Sequence, residues 1–129
     1  MIPNKKMFYM RRFIMKLWID DVRPIPNGYV WKATVNDARK FIEYCEDVVA
    51  AHTTNTEIDS LITKTYRIEL IDIDHDAGDY ASDGGDYIKL LDWLEETGRN
   101  YPIRIHSMNP VGIANMRAII QRNNWVEVQ

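Results

Sequence analysis

The sequence predicts an α/β domain built on a mainly parallel five-stranded sheet. Two observations carry that expectation. First, short apolar runs of strand length alternate with segments whose apolar residues recur at helical spacing, the pattern of strand–helix–strand units. Second, nearly every residue able to do chemistry falls directly after one of those runs. Asp20, Asp21 and Arg23 follow the first, Asp74, His75 and Asp76 the third, and His106, Ser107 and Asn109 the fourth. Solvated loops would scatter such residues over both edges of a sheet, whereas ligands of open α/β sheets bind at the carboxyl ends of the strands.

Taken in order, KLWID (Lys16 to Asp20) is a buried strand whose end meets solvent. VRPIPNG, with two prolines and an Asn-Gly pair, is loop. YVWKAT (Tyr29 to Thr34) alternates as a second strand. Thr34 or Asn36 then caps a helix carrying Ala38, Phe41, Ile42, Cys45, Val48 and Val49 on one face. HTTNT breaks that helix, and Glu57 to Ile62 suits a short helical turn. Arg67 to Ile73 is the third strand. Asp83 has the place of an N-cap for a helix with Tyr87, Leu90, Leu91 and Leu94 as its stripe, ending at Gly98. Ile103 to Ile105 is the fourth strand. Asn109 and Pro110 open a helix whose buried face is Ile113, Met116, Ile119 and Ile120. Trp125 to Val128 is the expected fifth strand, and the tryptophans and the methionines on helical stripes read as core.

The chain of 129 residues suits a single domain, with residues 1–14 an extra or poorly ordered extension and 15–129 the folded unit. Arg11 and Arg12 interrupt the apolar residues near the start, and no small-residue cleavage site follows, so that segment does not read as a signal peptide. No run approaches the roughly 20 apolar residues that span a bilayer. A net charge of -3, with no basic block, argues against an extended nucleic-acid surface but not against gripping one nucleotide or one RNA end. The single cysteine, Cys45, excludes an internal disulfide and a cysteine-based zinc site, and the cytoplasm is the expected compartment.

The stretch IDIDHDAGDY, residues 71–80, concentrates four acids and a histidine without a base among them. Like charges held together repel, so water, a proton or a cation must neutralise them. Asp20, Asp21, Asp74 and Asp76 are candidate ligands of magnesium or another hard divalent cation, which is held by carboxylates, waters and phosphate oxygens. An Asp pair can also simply end a strand and begin a turn. His75 and His106 are the candidate general acid or base, because imidazole titrates near neutrality. Ser107 and Asn109 suit phosphate binding, helped by the amides opening the Pro110 helix, and serve equally well as caps of that helix. Arg23 is either a phosphate clamp or a surface residue. Asp72, inside the third strand, has no evident role.

The arrangement resembles receiver domains of two-component signalling. That resemblance implies a receiver-like (flavodoxin-like) three-layer sandwich with strand order 2-1-3-4-5. It makes Asp20 and Asp21 the magnesium-binding acid pair, Asp74 the phosphoacceptor and Ser107 the phosphoryl-contacting hydroxyl. The chain departs from that pattern in lacking a lysine after its last strand and in replacing the first crossover helix with a loop. WIDDVRP, DIDHDAG and IHSMNPVG are similar, in combination and order, to the narrower cyclic-phosphate processing receiver-like family. Asp72 stands where that family has a small or neutral residue and Ala77 where it has Leu, and the stretch from His52 to Tyr66 reads as a local insertion. The resemblance implies metal-dependent hydrolysis of a cyclic phosphate, such as a 2',3'-cyclic RNA end or a cyclic nucleotide. Its partner would be a phosphate-containing small molecule or RNA end. The alternative is a non-catalytic, degenerate receiver that senses or docks.

Overall fold

Alternation along the strands decides which residues face the helices. The computed structural model describes residues 14–22, 25–54 and 56–129. β1 (Met15–Ile19) lies at the centre of a parallel sheet beside β2 (Tyr29–Lys32) and β3 (Ile68–Ile73), and β4 (Ile103–Ile105) pairs with β3 to give the order β2-β1-β3-β4. Leu17 and Ile19, Ile71 and Ile73, and Ile103 point to one face and are fully buried. Successive strand residues point to opposite faces, so Lys16, Trp18, Leu70, Asp72 and Arg104 lie on the other.

The helices close over the first face. α1 (Val35–Ala50) begins at Thr34, whose hydroxyl accepts from the Asp37 amide at 3.0 Å. It buries Val35, Ala38, Ile42 and Cys45. α2 (Glu57–Tyr66), capped by Thr56, runs a full turn beyond the short segment expected and packs outside α1, with Tyr66 set edge-on to Tyr44. α3 (Ile88–Glu96) buries Leu90, Leu91, Trp93 and Leu94. α4 (Pro110–Arg122) takes Pro110 at its first turn and has Asn109 as its N-cap. These inward residues form one core with Leu17, Ile19, Ile71, Ile73 and Ile103.

The receiver-like α/β class holds, with two local corrections. The fifth strand contracts to one parallel bridge between Ile103 and Glu127, held by Ile103 N donating to Val126 O and Val128 N to Ile103 O. β4 is only three residues long, so Trp125 to Val128 finds little strand to pair with. Asp83 does not cap α3, which starts five residues later. Its carboxylate accepts instead from Asn36 Nδ2 at 2.8 Å, fastening the loop to α1. Among the described residues no helix is long and apolar enough to cross a membrane.

Candidate active site

Three of the four strands, β1, β3 and β4, each hand one residue to the same edge. The backbone ladder runs one rung past the strands: Asp74 N donates to Ile19 O and His106 N to Ile73 O, both at 2.9 Å, and Asp20 N to Lys32 O at 3.4 Å. Asp20, Asp74 and His106 therefore stand side by side, two residues beyond Trp18, Asp72 and Arg104 and on the same side of the sheet. His75, one position out of phase with that row, turns toward α4 instead.

Asp20, Asp21 and Asp74 can each place a carboxylate oxygen within 4.8 Å of the other two. One Asp20 oxygen accepts from the Val22 amide and the other faces His106; Asp74 Oδ1 accepts from the His75 amide at 2.7 Å. Burial, the bond to Asp20 and repulsion from Asp20 and Asp74 hold the Asp21 carboxyl above its ordinary pKa of 3.8. Beneath them Tyr87 is fully buried, its hydroxyl donating to Ala33 O at 2.6 Å; burial and the three carboxylates push its ionisation well above the usual range. Gly78, at φ +57°, lets the chain pass close to this cluster, for a β-carbon there would lie 2.6 Å from Asp21 Oδ2.

An open cavity of about 480 Å³ faces the cluster and is lined by Asp20, Val22, Asp74, Asp76, His106, Ser107, Met108 and Asn109. That is the size of a small-molecule site. Among its described lining residues none is lysine or arginine. An oxygen-only donor set of three carboxylates, one already reluctant to ionise, fits a hard divalent cation such as magnesium.

His106 is held on three sides. Its Nδ1 lies 2.6 Å from Asp72 Oδ1, its Nε2 lies 2.9 Å from Asp20 Oδ2, and its ring stacks on Trp18 at 3.7 Å between centroids, 2° from parallel. Burial disfavours the charged ring, but the bonds to Asp72 and Asp20 outweigh it and raise the His106 pKa above 6.5.

The other candidates divide. Asp76, on the rim, has its carboxylate 2.8 Å from His75 Nδ1. His75 does not line the cavity: its ring packs so tightly on Gly112 of α4 that a β-carbon at Gly112 would collide with it. Ser107 and Asn109 line the cavity, and both also act locally. Ser107 Oγ accepts from the Asn109 amide at 3.1 Å, and Asn109 Oδ1 caps Gly112 N at 3.0 Å. The α4 terminus has few amides left for an anion, since Pro110 has none and Ile113 N bonds to Asn109 O. Arg23 and the proposed extension, bar Ile14, lie outside the described residues.

Sequence reasoning missed two neighbours of this row. Asp72, fully buried, stands behind His106, and Trp18, read as core, is the surface on which His106 rests. Parity was the available signal, and it places Asp72 two residues before Asp74 and Trp18 two residues before Asp20, each on the same face of its own strand; what it does not show is that both meet His106.

A family model described as the cyclic-phosphate processing Receiver domain matches residues 15–122 of the chain. No curated protein and no solved structure matches it.

Proposed function

The chain belongs to the cyclic-phosphate processing receiver domain family, and on that premise we propose that it hydrolyses a cyclic phosphate in a reaction that needs a divalent cation. The observation that carries this reading is the convergence of Asp20, Asp21 and Asp74, with Asp20, Asp74 and His106 lining an open cavity. A phosphodiester is an anion, and a cavity lined by carboxylates with no described lysine or arginine is a poor host for it. A hard cation held by Asp20, Asp21 and Asp74 would reverse that field and polarise a phosphoryl oxygen.

The chain's own groups supply the rest. Ser107 Oγ–H and Asn109 Nδ2–H donate to the non-bridging oxygens, with Arg23 a further candidate. His106 Nε2 faces Asp20 at the cavity wall and is the proton carrier of the step. The oxygen of water bonds to phosphorus as one ring P–O bond breaks; the proton lost by the water is balanced by the one gained by the leaving oxygen. His75, packed on Gly112, is the weaker candidate for this transfer. The substrate class is a 2',3'-cyclic RNA end or a cyclic nucleotide.

The test is to incubate the wild type and His106→Ala with 2',3'-cyclic-phosphate RNA and a panel of cyclic nucleotides, in magnesium and in chelator. Magnesium-dependent opening to a monoester, lost in His106→Ala, is expected. No turnover of any member would sink hydrolysis. A second reading, a degenerate receiver, rests on Asp74 standing at the edge beside two acids as a phosphoacceptor would. Magnesium-dependent labelling of Asp74 by a small phosphodonor would favour it.

A further inference from the structure

We propose that Val22 and Met108 determine the specificity of this site by seating the flat face of a nucleobase. They favour a nucleoside cyclic phosphate over a base-free one without reading which base it carries. As a claim about turnover it rests on the hydrolytic reading above; as a claim about binding it stands alone.

The cavity is lined by two kinds of side chain. Carboxylates, His106, Ser107 and Asn109 are one kind, and Val22 and Met108 are the other. Val22 is 61% exposed and Met108 96%. A single apolar side chain on a surface needs no explanation, but two on one cavity beside a charged site suit an apolar part of the ligand. Both stand on turns that the polar groups fix. The Val22 amide donates to Asp20 Oδ1 at 3.0 Å, and Met108 lies inside the turn in which Asn109 N donates to Ser107 Oγ at 3.1 Å. Each apolar side chain is thus within two residues of a polar group of the site, beside a bound phosphate rather than remote from it.

In a nucleoside 2',3'-cyclic phosphate the base stands one ribose ring from the phosphate. Laid on Val22 and Met108, its face leaves water, and the Met108 thioether adds a sulfur–aromatic contact. Choosing between bases needs donors and acceptors aimed at the base edge. Neither side chain offers a strong one, Asp76 is engaged with His75, and Asn109 Oδ1 with Gly112 N. A π-face is common to every base, so the seat is indifferent to base identity.

Methyl-labelled methionine NMR, with Met108 assigned by its loss in Met108→Leu, reads the seat without turnover. In magnesium, adenosine and cytidine 2',3'-cyclic phosphates are each expected to move the Met108 methyl upfield by ring current, as substrate or as the monoester it becomes. Methyl riboside 2',3'-cyclic phosphate, which keeps the phosphate ring and lacks the base, is expected to leave it in place. An oligoribonucleotide with a 2',3'-cyclic end presents the same terminal base and should move it too; the larger kcat/KM then tells an RNA end from a free nucleotide.

In turnover, Met108→Ala and Val22→Ala are each expected to lower kcat/KM for the nucleotides about 3–10-fold, mainly through KM, and to spare the base-free substrate. Met108→Leu should recover part of the loss, and Ile58→Ala, also apolar and exposed but on α2, should change nothing. A base-free cyclic phosphate bound and turned over as well as the nucleotides overturns the proposal while hydrolysis stands. A preference of more than tenfold between adenosine and cytidine overturns it as well. If no cyclic phosphate is turned over, the hydrolytic reading fails and the methyl signal still decides the seat: a shift confined to base-bearing ligands upholds it, and no shift with any of them overturns it.

Discussion

Neutralising one carboxylate of the cluster should make the metal-free protein more stable while removing its response to magnesium. Asp21→Asn is the cleanest change, being nearly isosteric beside Gly78. Asp20, Asp21 and Asp74 place oxygens within 4.8 Å of one another. At that distance, with the screening expected of half-buried groups, each charged pair costs about 1–2 kcal/mol. Asp21 has two such neighbours, and losing its bond with Asp20 returns part of the gain. The net stabilisation is about 1–2 kcal/mol at neutral pH, or roughly 4–8 °C in Tm for a domain of this size.

The pH dependence gives the effect a signature. Because the folded Asp21 pKa lies above 3.8, the folded protein holds this proton more tightly than the unfolded chain. That contribution is complete below about pH 3.8 and is lost as pH rises through the folded value. The advantage of the amide should therefore be absent in acid and emerge above that value. With magnesium at 100 times its Kd the wild type gains about 2.7 kcal/mol and overtakes the variant. Thermal melts in chelator and in magnesium, from pH 3 to 7, measure all of this. A variant less stable than wild type in chelator at pH 7, or one equally favoured at pH 3, would refute the argument.

Two further outcomes follow from contacts away from the cluster. Gly112→Ala should cost about 1–3 kcal/mol in a urea titration, because its β-carbon meets the His75 ring, and most of that loss should vanish in the double variant with His75→Ala. Glu46 is desolvated yet held below its ordinary pKa of 4.5 by Arg99 and Tyr101, so its contribution is present above that pH and fades as pH falls through the lowered value. Glu46→Gln should cost about 1–2 kcal/mol at pH 7 and flatten that limb of the stability profile.

The strand ends were readable because an apolar run that stops at an acid marks both where a strand ends and what stands there. Asp20 and Asp74 follow from that pattern, His106 from the polar end of the fourth apolar run, and all four strands were located to within a residue or two. What the pattern does not encode is register across the sheet. His75 and His106 both sit at strand ends in the sequence, but His106 directly follows β4 and His75 comes one residue later after β3, so their side chains point opposite ways: His106 enters the row with Asp20, and His75 packs on Gly112. Asp72 looked like surplus charge because its partners, Tyr29 and Arg104, come from two other strands. The fifth strand had the right composition but depended on the length of β4, a property of its neighbour rather than of Trp125 to Val128.

The rungs beyond the strand ends bind recognition to cooperativity. Asp74 and His106 donate their own amides to Ile19 and Ile73, so the backbone that positions the site is also the last part of the sheet to be closed. Rungs at the strand ends fray more readily than those at the centre of the sheet. A cation or phosphate seated on this edge would therefore clamp all the paired strands at once, slowing exchange throughout the sheet rather than ordering a local loop.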